Sequence, residues 1–181
     1  MLLRRNDSCL LLIDMQEKLI PLIAESESLI NHCEWLLRLA NELTVPCLIS
    51  EQYPRGLGPT LKSLLDITSQ SQIVEKVDFS CAKEANFKRP LEALNKKQLV
   101  LIGIEAHVCV LQTALDLLAE NYEVFIVVDA VSSRKLLDKK YALKRMQQHG
   151  ATLITAEMVF FEWVEKAGTP LFKALSSKYL K

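Results

Sequence analysis

Six short apolar runs, rich in leucine and β-branched residues, punctuate the chain: CLLLID (9–14), VPCLIS (45–50), QIVEKV (72–77), QLVLIG (98–103), EVFIVVD (123–129) and ATLITA (151–156). Most lack the apolar–polar alternation of a half-exposed strand, which is the pattern of strands covered on both faces. Between them the apolar residues recur at helical spacing. Leu29, Ile30, Cys33, Leu36, Leu37 and Ala40 make one such stripe, and Val110, Leu111, Ala114, Leu117 and Leu118 make another. Strand and helix therefore alternate, with connections too long for hairpins. That order predicts a three-layer α/β/α fold whose six-stranded, mainly parallel sheet is crossed by right-handed helical connections. The expected strand order is 3-2-1-4-5-6. Asn41 and Pro46 punctuate the first helix and second strand, Asn121 precedes the fifth strand, and Gly150 ends a helix before the sixth. EQYPRGLGP (51–59) reads as the most loop-like stretch, with a second loop over 131–137.

Composition narrows the class. At 181 residues and 50% hydrophobic, residues 1–181 are expected to form one domain with a full core. Lys and Arg number 22 against 22 Asp and Glu, so no surplus of charge recruits nucleic acid or an anionic membrane. No apolar stretch approaches the ~20 residues that cross a bilayer, and the opening MLLRRNDSCLLLIDMQ reads as a first strand rather than a signal peptide. Five cysteines, an odd number without a CxxC pair, fit a reducing cytoplasm. A small-molecule partner, chosen by a local pocket, is the class that survives.

In such sheets ligands bind beyond the carboxyl ends of the strands, where the strand order reverses. Strands one and four flank that reversal, so Asp14 and the segment leading to Cys109 are expected to face one crevice. Cys109 follows a strand and opens an amphipathic run, which puts it in the first turn of a helix, where the dipole lowers a thiol pKa. Lys76, at another strand end, would lower it further, and Asp14 is a candidate to take the thiol proton. Each residue also has an ordinary role: core filler for the cysteine, a cap for the aspartate, a solvated strand end for the lysine. Their joint placement gives the chemical reading its weight. Cys9, Cys33 and Cys47 read as core, and Cys81, after the turn DFS, is the one rival nucleophile. His107 lies near Cys109 in sequence but points elsewhere, and His32 and His149 read as plain helix residues. Neither an HxxxH nor a DxH pair is present, DMQEK follows strand one where a dinucleotide fold carries glycines, and there is no GxxxxGK[ST], so neither metal nor cofactor is expected.

The segments LLLIDMQEKL, SEQYPRGLGPT, VEKVDFSC, LIGIEAHVCVLQTALDLL, VVDAVSSR and MVFFEWVEKAGTPLFKALS resemble, in order and spacing, the isochorismatase-like cysteine hydrolases, in particular the isochorismatase-domain and YcaC-type branch. That resemblance implies a catalytic triad of Asp14, Lys76 and Cys109, an oxyanion hole from the backbone N–H groups of Glu105 and Cys109, and a cis peptide at Ile104–Glu105. It also implies a pocket lined by Gln16, Tyr53, Phe79 and His107. Nicotinamidases of the superfamily carry an Asp-x-His metal motif where this chain has Ser50-Glu51-Gln52-Tyr53, which disfavours metal-assisted nicotinamide hydrolysis. Isochorismatases proper cleave a vinyl ether without a cysteine acyl-enzyme, so an intact Cys109 points to hydrolysis of an amide or related C–N bond through a thioester. The alternative is a redox-active thiol protein or a non-catalytic oligomeric binding scaffold. A homo-oligomer is expected from the resemblance, and Phe160, Phe161 and Trp163 of MVFFEWV either help form it or cover the sheet.

Overall fold

The computed structural model describes residues 1–68 and 71–180. Its strands are β1 (Ser8–Ile13), β2 (Cys47–Gln52), β3 (Gln72–Lys76), β4 (Gln98–Gly103), β5 (Glu123–Val131) and β6 (Thr152–Ile154). They form one sheet in the order β3-β2-β1-β4-β5-β6, and every neighbouring pair is parallel. The helices are α1 (Ser26–Glu42), α2 (Pro54–Leu57), α3 (Lys62–Ile67), α4 (Ala85–Ala93), α5 (Leu111–Ala119), α6 (Leu136–Gln148), α7 (Ala156–Val164) and α8 (Pro170–Tyr179). None of the described helices is long and apolar enough to cross a membrane.

β1 is buried along its whole length because successive side chains point to opposite, equally dry faces. Leu10 and Leu12 join the layer built on α1, α7 and α8, with Leu36, Leu37, Phe160 and Trp163. Cys9, Leu11 and Ile13 join the opposite layer, with Phe87 and Leu91 of α4, Leu111, Ala114 and Leu117 of α5, and Met146 of α6. Two of the three aromatic residues singled out near the C-terminus are therefore core. Phe160 and Trp163 are buried and Trp163 donates to Ser8 Oγ at 3.1 Å, whereas Phe161 is about half exposed.

Among the strand boundaries that differ from the sequence pattern, three have a clear local reason. β2 starts at Cys47 rather than Val45, because Pro46 has no N–H for the ladder and contributes only its carbonyl, which accepts from Leu10 N–H. β2 then runs on to Gln52, since Glu51 and Gln52 pair in register with Glu75 and Lys76 of β3, and the residues after it wind into α2 instead of a loop. β5 continues to Val131 through an irregularity that brings Val131 opposite Gly103. Gly103 itself has φ +111°, and a Cβ there would lie 2.1 Å from the Ile13 carbonyl oxygen. Glycine thus lets the carboxyl ends of β4 and β1 close together.

Candidate active site

β1 ends at Ile13, and Asp14 turns out of the ladder with φ +52°, a conformation that aspartate tolerates better than most residues. Its N–H still reaches Ser50 O on β2, so the side chain is delivered at the carboxyl end of the central strand, fully buried. A bare carboxylate there would be costly, and it is doubly held. Ser50 Oγ donates to Oδ1 at 2.7 Å and Lys76 Nζ donates to Oδ2 at 2.8 Å. Lys76 ends β3 and is also buried, not solvated. Its ammonium has further acceptors in Gln52 Oε1 at 2.5 Å and the carbonyls of Asp78 and Phe79 at 3.3 and 3.2 Å. Burial works against that charge, but the Asp14 carboxylate above all outweighs it and holds the ammonium above the ordinary lysine range.

Cys109 lies in a π-helical turn, Ala106–Val110, that leads into α5, and only 6% of it is exposed. The helix-start placement predicts a lowered thiol pKa, and the structure reverses this. Burial first, then the Asp14 carboxylate, push the thiol above the ordinary cysteine range against the pull of Lys76. Its Sγ faces Gln52 Oε1 at 3.8 Å. The wide turn has a second effect. The Glu105 carbonyl accepts from Val108 and Val110 N–H and passes over Cys109, and among the described residues the Glu105 N–H has no acceptor. The Ile104–Glu105 peptide is cis. Glu105 Oε2 accepts from Arg134 Nε at 2.9 Å, so the carboxylate beside these amides is neutralised.

The remaining expected site residues divide. Tyr53 and Phe79 are 55% and 53% exposed, at the ends of β2 and β3, and Tyr53 shares with Lys76, Arg55, Glu75 and Glu84 a cavity of about 330 Å³. His107 turns away from Cys109, with Nδ1 3.0 Å from Ser133 Oγ. Gln16, expected to line the pocket, is wholly buried and acts as a strut: its amide donates to the carbonyls of Gln52 and Gly58 and accepts from Gln52 N–H. Cys81, the rival nucleophile, is also wholly buried, and its thiol is pushed up to about 11 by burial and Asp14. The residue that the sequence pattern missed is Gln52, whose amide oxygen lies between Lys76 and Cys109. Its register opposite Lys76 is the signal that could have found it.

The isochorismatase domain matches residues 8–158. The chain belongs to the isochorismatase family. Isochorismatase domain-containing protein 2A of Mus musculus is 40% identical over 172 residues, covering 94% of this chain and 81% of its own. Among solved structures, one described as the MAR1 ribonuclease of Caenorhabditis elegans matches at a TM-score of 0.93 and 36% identity, covering all of this chain and 93% of that one. YcaC of Escherichia coli, described as an octameric hydrolase of unknown specificity, matches at 0.89 and 26%, covering 98% of this chain and 96% of that one. Glu51 lies near the carboxyl end of the second strand. The Glu51 carboxylate there is committed to protein, since Oε1 accepts both the N–H and the hydroxyl of Thr60 at 2.7 and 2.8 Å.

Proposed function

We propose that this isochorismatase-family hydrolase cleaves an amide or related C–N bond of a small molecule through a thioester on Cys109. The observation that carries the reading is the buried Asp14–Lys76 ion pair, whose carboxylate, together with burial, holds the neighbouring Cys109 thiol above the ordinary cysteine range. A lysine-paired carboxylate beside a neutral nucleophile is the arrangement of a general base that acts during attack, not of a preformed thiolate. Sγ bonds to the carbonyl carbon while its proton passes to Asp14, and the carbonyl π electrons move to oxygen, facing the N–H groups of Glu105 and Cys109. The oxyanion collapses, the C–N bond breaks, and the amine leaves with the proton from Asp14. Water then attacks the thioester, giving one proton to Asp14, which returns it to sulfur as the acid departs. Lys76 steadies the negative charge on Asp14 and sulfur throughout. The reading takes residues 1–181 as one hydrolase domain and, by likeness to the octameric YcaC, as a homo-oligomer.

The same observation argues against a redox-sensor role, because such thiols react as accessible thiolates. It also argues against carrying ribonuclease activity over from the MAR1 structure, because a phosphodiester forms no thioester. The test is acid-quench mass spectrometry of the protein turning over a panel of small amides. The expected result is an acyl mass on Cys109 that hydroxylamine removes, with turnover falling by at least ~10³-fold in Cys109→Ala. Turnover that survives Cys109→Ala, or RNA cleavage that depends on Cys109, would overturn it.

A further inference from the structure

We propose that a second site, across the sheet from Cys109, binds a small organic cation: a primary ammonium carried on an apolar body. The site is a cavity of about 470 Å³ between α1, α7 and α8, near the carboxyl end of β5. Trp35 and Tyr179 supply its aromatic wall, and His32, Asp129 and Glu157 its polar groups. Among the described residues no lysine or arginine lines it, so in a chain of zero net charge this cavity is locally anionic. It stands apart from the hydrolase reading. Tyr179 belongs to the core layer of α1, α7 and α8 and Trp35 packs against that layer, whereas Cys109 belongs to the layer on the other side of the sheet.

The polar groups are preset. The Ser28 carbonyl lies 2.8 Å from His32 Nδ1, and because a carbonyl only accepts, Nδ1 carries the hydrogen. The neutral ring then turns the bare lone pair of Nε2 toward Asp129 Oδ2, 3.7 Å away. Asp129 is held in that orientation, since its Oδ1 accepts from the Ala156 N–H at 2.9 Å. Two partly exposed acceptors thus face each other with no proton between them, too far apart for a direct hydrogen bond. A donor that enters from the cavity satisfies both at once. An ammonium has three hydrogens to give, whereas an alcohol has one and answers only one acceptor. The aromatic wall suits the same ligand. Trp35 is fixed by its indole N–H, which donates to Tyr179 O at 3.3 Å, and by the Tyr179 ring, set perpendicular to it with centroids 5.3 Å apart. Aromatic faces attract cations and pack against apolar bodies. Glu157, exposed in the first turn of α7, adds a second carboxylate that favours a cation and repels an anion.

The experiment is a titration of the isotope-labelled full chain with phenethylamine at pH 8, read at the indole N–H resonances of Trp35 and Trp163 and assigned with Trp35→Phe. The Trp35 signal is expected to move and to saturate with a Kd of ~1 mM or below, while the signal of the wholly buried Trp163 stays. The alcohol 2-phenylethanol, the same body with a hydroxyl for the ammonium, should bind at least ~10-fold more weakly, and Asp129→Asn, which keeps the acceptor for Ala156, should weaken phenethylamine by at least the same factor. A Trp35 signal that does not saturate overturns the proposal. So does equal affinity for the alcohol or unchanged affinity in Asp129→Asn, since either describes an apolar crevice and no cation site. If Asp129→Asn does not fold, the exposed Glu157→Gln takes its place: about threefold weaker binding is expected there, and unchanged affinity overturns the proposal alone. No turnover is read, so failure of the hydrolase reading leaves this outcome untouched.

Discussion

Neutralising one half of the Asp14–Lys76 pair is expected to damage the fold as well as the chemistry. Asp14→Asn keeps a residue that accepts the positive φ, and Lys76→Met keeps the buried stem, so each removes charge with little change of shape. At 2.8 Å, and with an effective dielectric constant of about 20, the pair attracts with roughly 6 kcal/mol before desolvation. Desolvation cancels much of this in the intact pair, but a single substitution strands the other charge where it can recover no hydration. Broken buried pairs lose about 3–5 kcal/mol, and for a chain of this size each kcal/mol moves the melting temperature by about 2–4 °C. Each single variant should therefore melt some 6–20 °C below the parent. The double variant Asp14→Asn/Lys76→Met leaves no stranded charge, and its loss should be smaller than the sum of the singles by about 2 kcal/mol or more. Urea unfolding of all four proteins at pH 7 closes the cycle. Singles within 1 kcal/mol of the parent, or a strictly additive double, would refute the argument that the pair is dry and mutually dependent.

Two further outcomes follow from the packing. All five cysteines are free, and burial raises every thiol, Cys81 to about 11, Cys47 to about 12 and the others beyond. Stability that these thiols lend is present below the unfolded pKa of about 8.5–9 and is lost as pH rises, because the unfolded chain releases its thiol protons first. Each contributes a slope of up to about 1.4 kcal/mol per pH unit. Urea midpoints should fall steeply from pH 9 to 10.5, less steeply in Cys33→Ala; a flat profile would contradict the burial. Gly103→Ala places a Cβ against the Ile13 carbonyl at a positive φ and should cost about 3–5 kcal/mol, read by thermal denaturation, whereas a loss under 1 kcal/mol would mean that β1 and β4 separate freely.

How much of this was legible in the sequence follows from where hydrophobicity speaks. The central strands β1 and β4 are dry on both faces, so CLLLID and QLVLIG announce them, and with them the carboxyl ends that carry Asp14 and lead to Cys109. The carboxyl end of β2 is polar because Ser50, Glu51 and Gln52 hydrogen-bond there to Asp14, Thr60 and Lys76. A hydrophobic criterion ends that strand at Ser50 and loses Gln52, although the ladder continues for two residues. The π-turn at Ala106–Val110 has no compositional signature either, since a hydrogen bond to i+5 asks for no particular side chain. The thiol's raised pKa escaped for a related reason: the helix dipole can be read from residue order, but burial and the distance to Asp14 exist only after folding.

Lys76 belongs to β3, which has a neighbour on one side only and exposes most of its residues. Edge strands are where native proteins open first. The ion pair to Asp14, 62 positions away in sequence, therefore works as a latch that fastens an edge strand of the sheet to a central one. Fraying of that edge and rupture of the buried ion pair become a single event. Amide hydrogen exchange in β3 would then report, in real time, the fraction of molecules in which Asp14 has lost its partner.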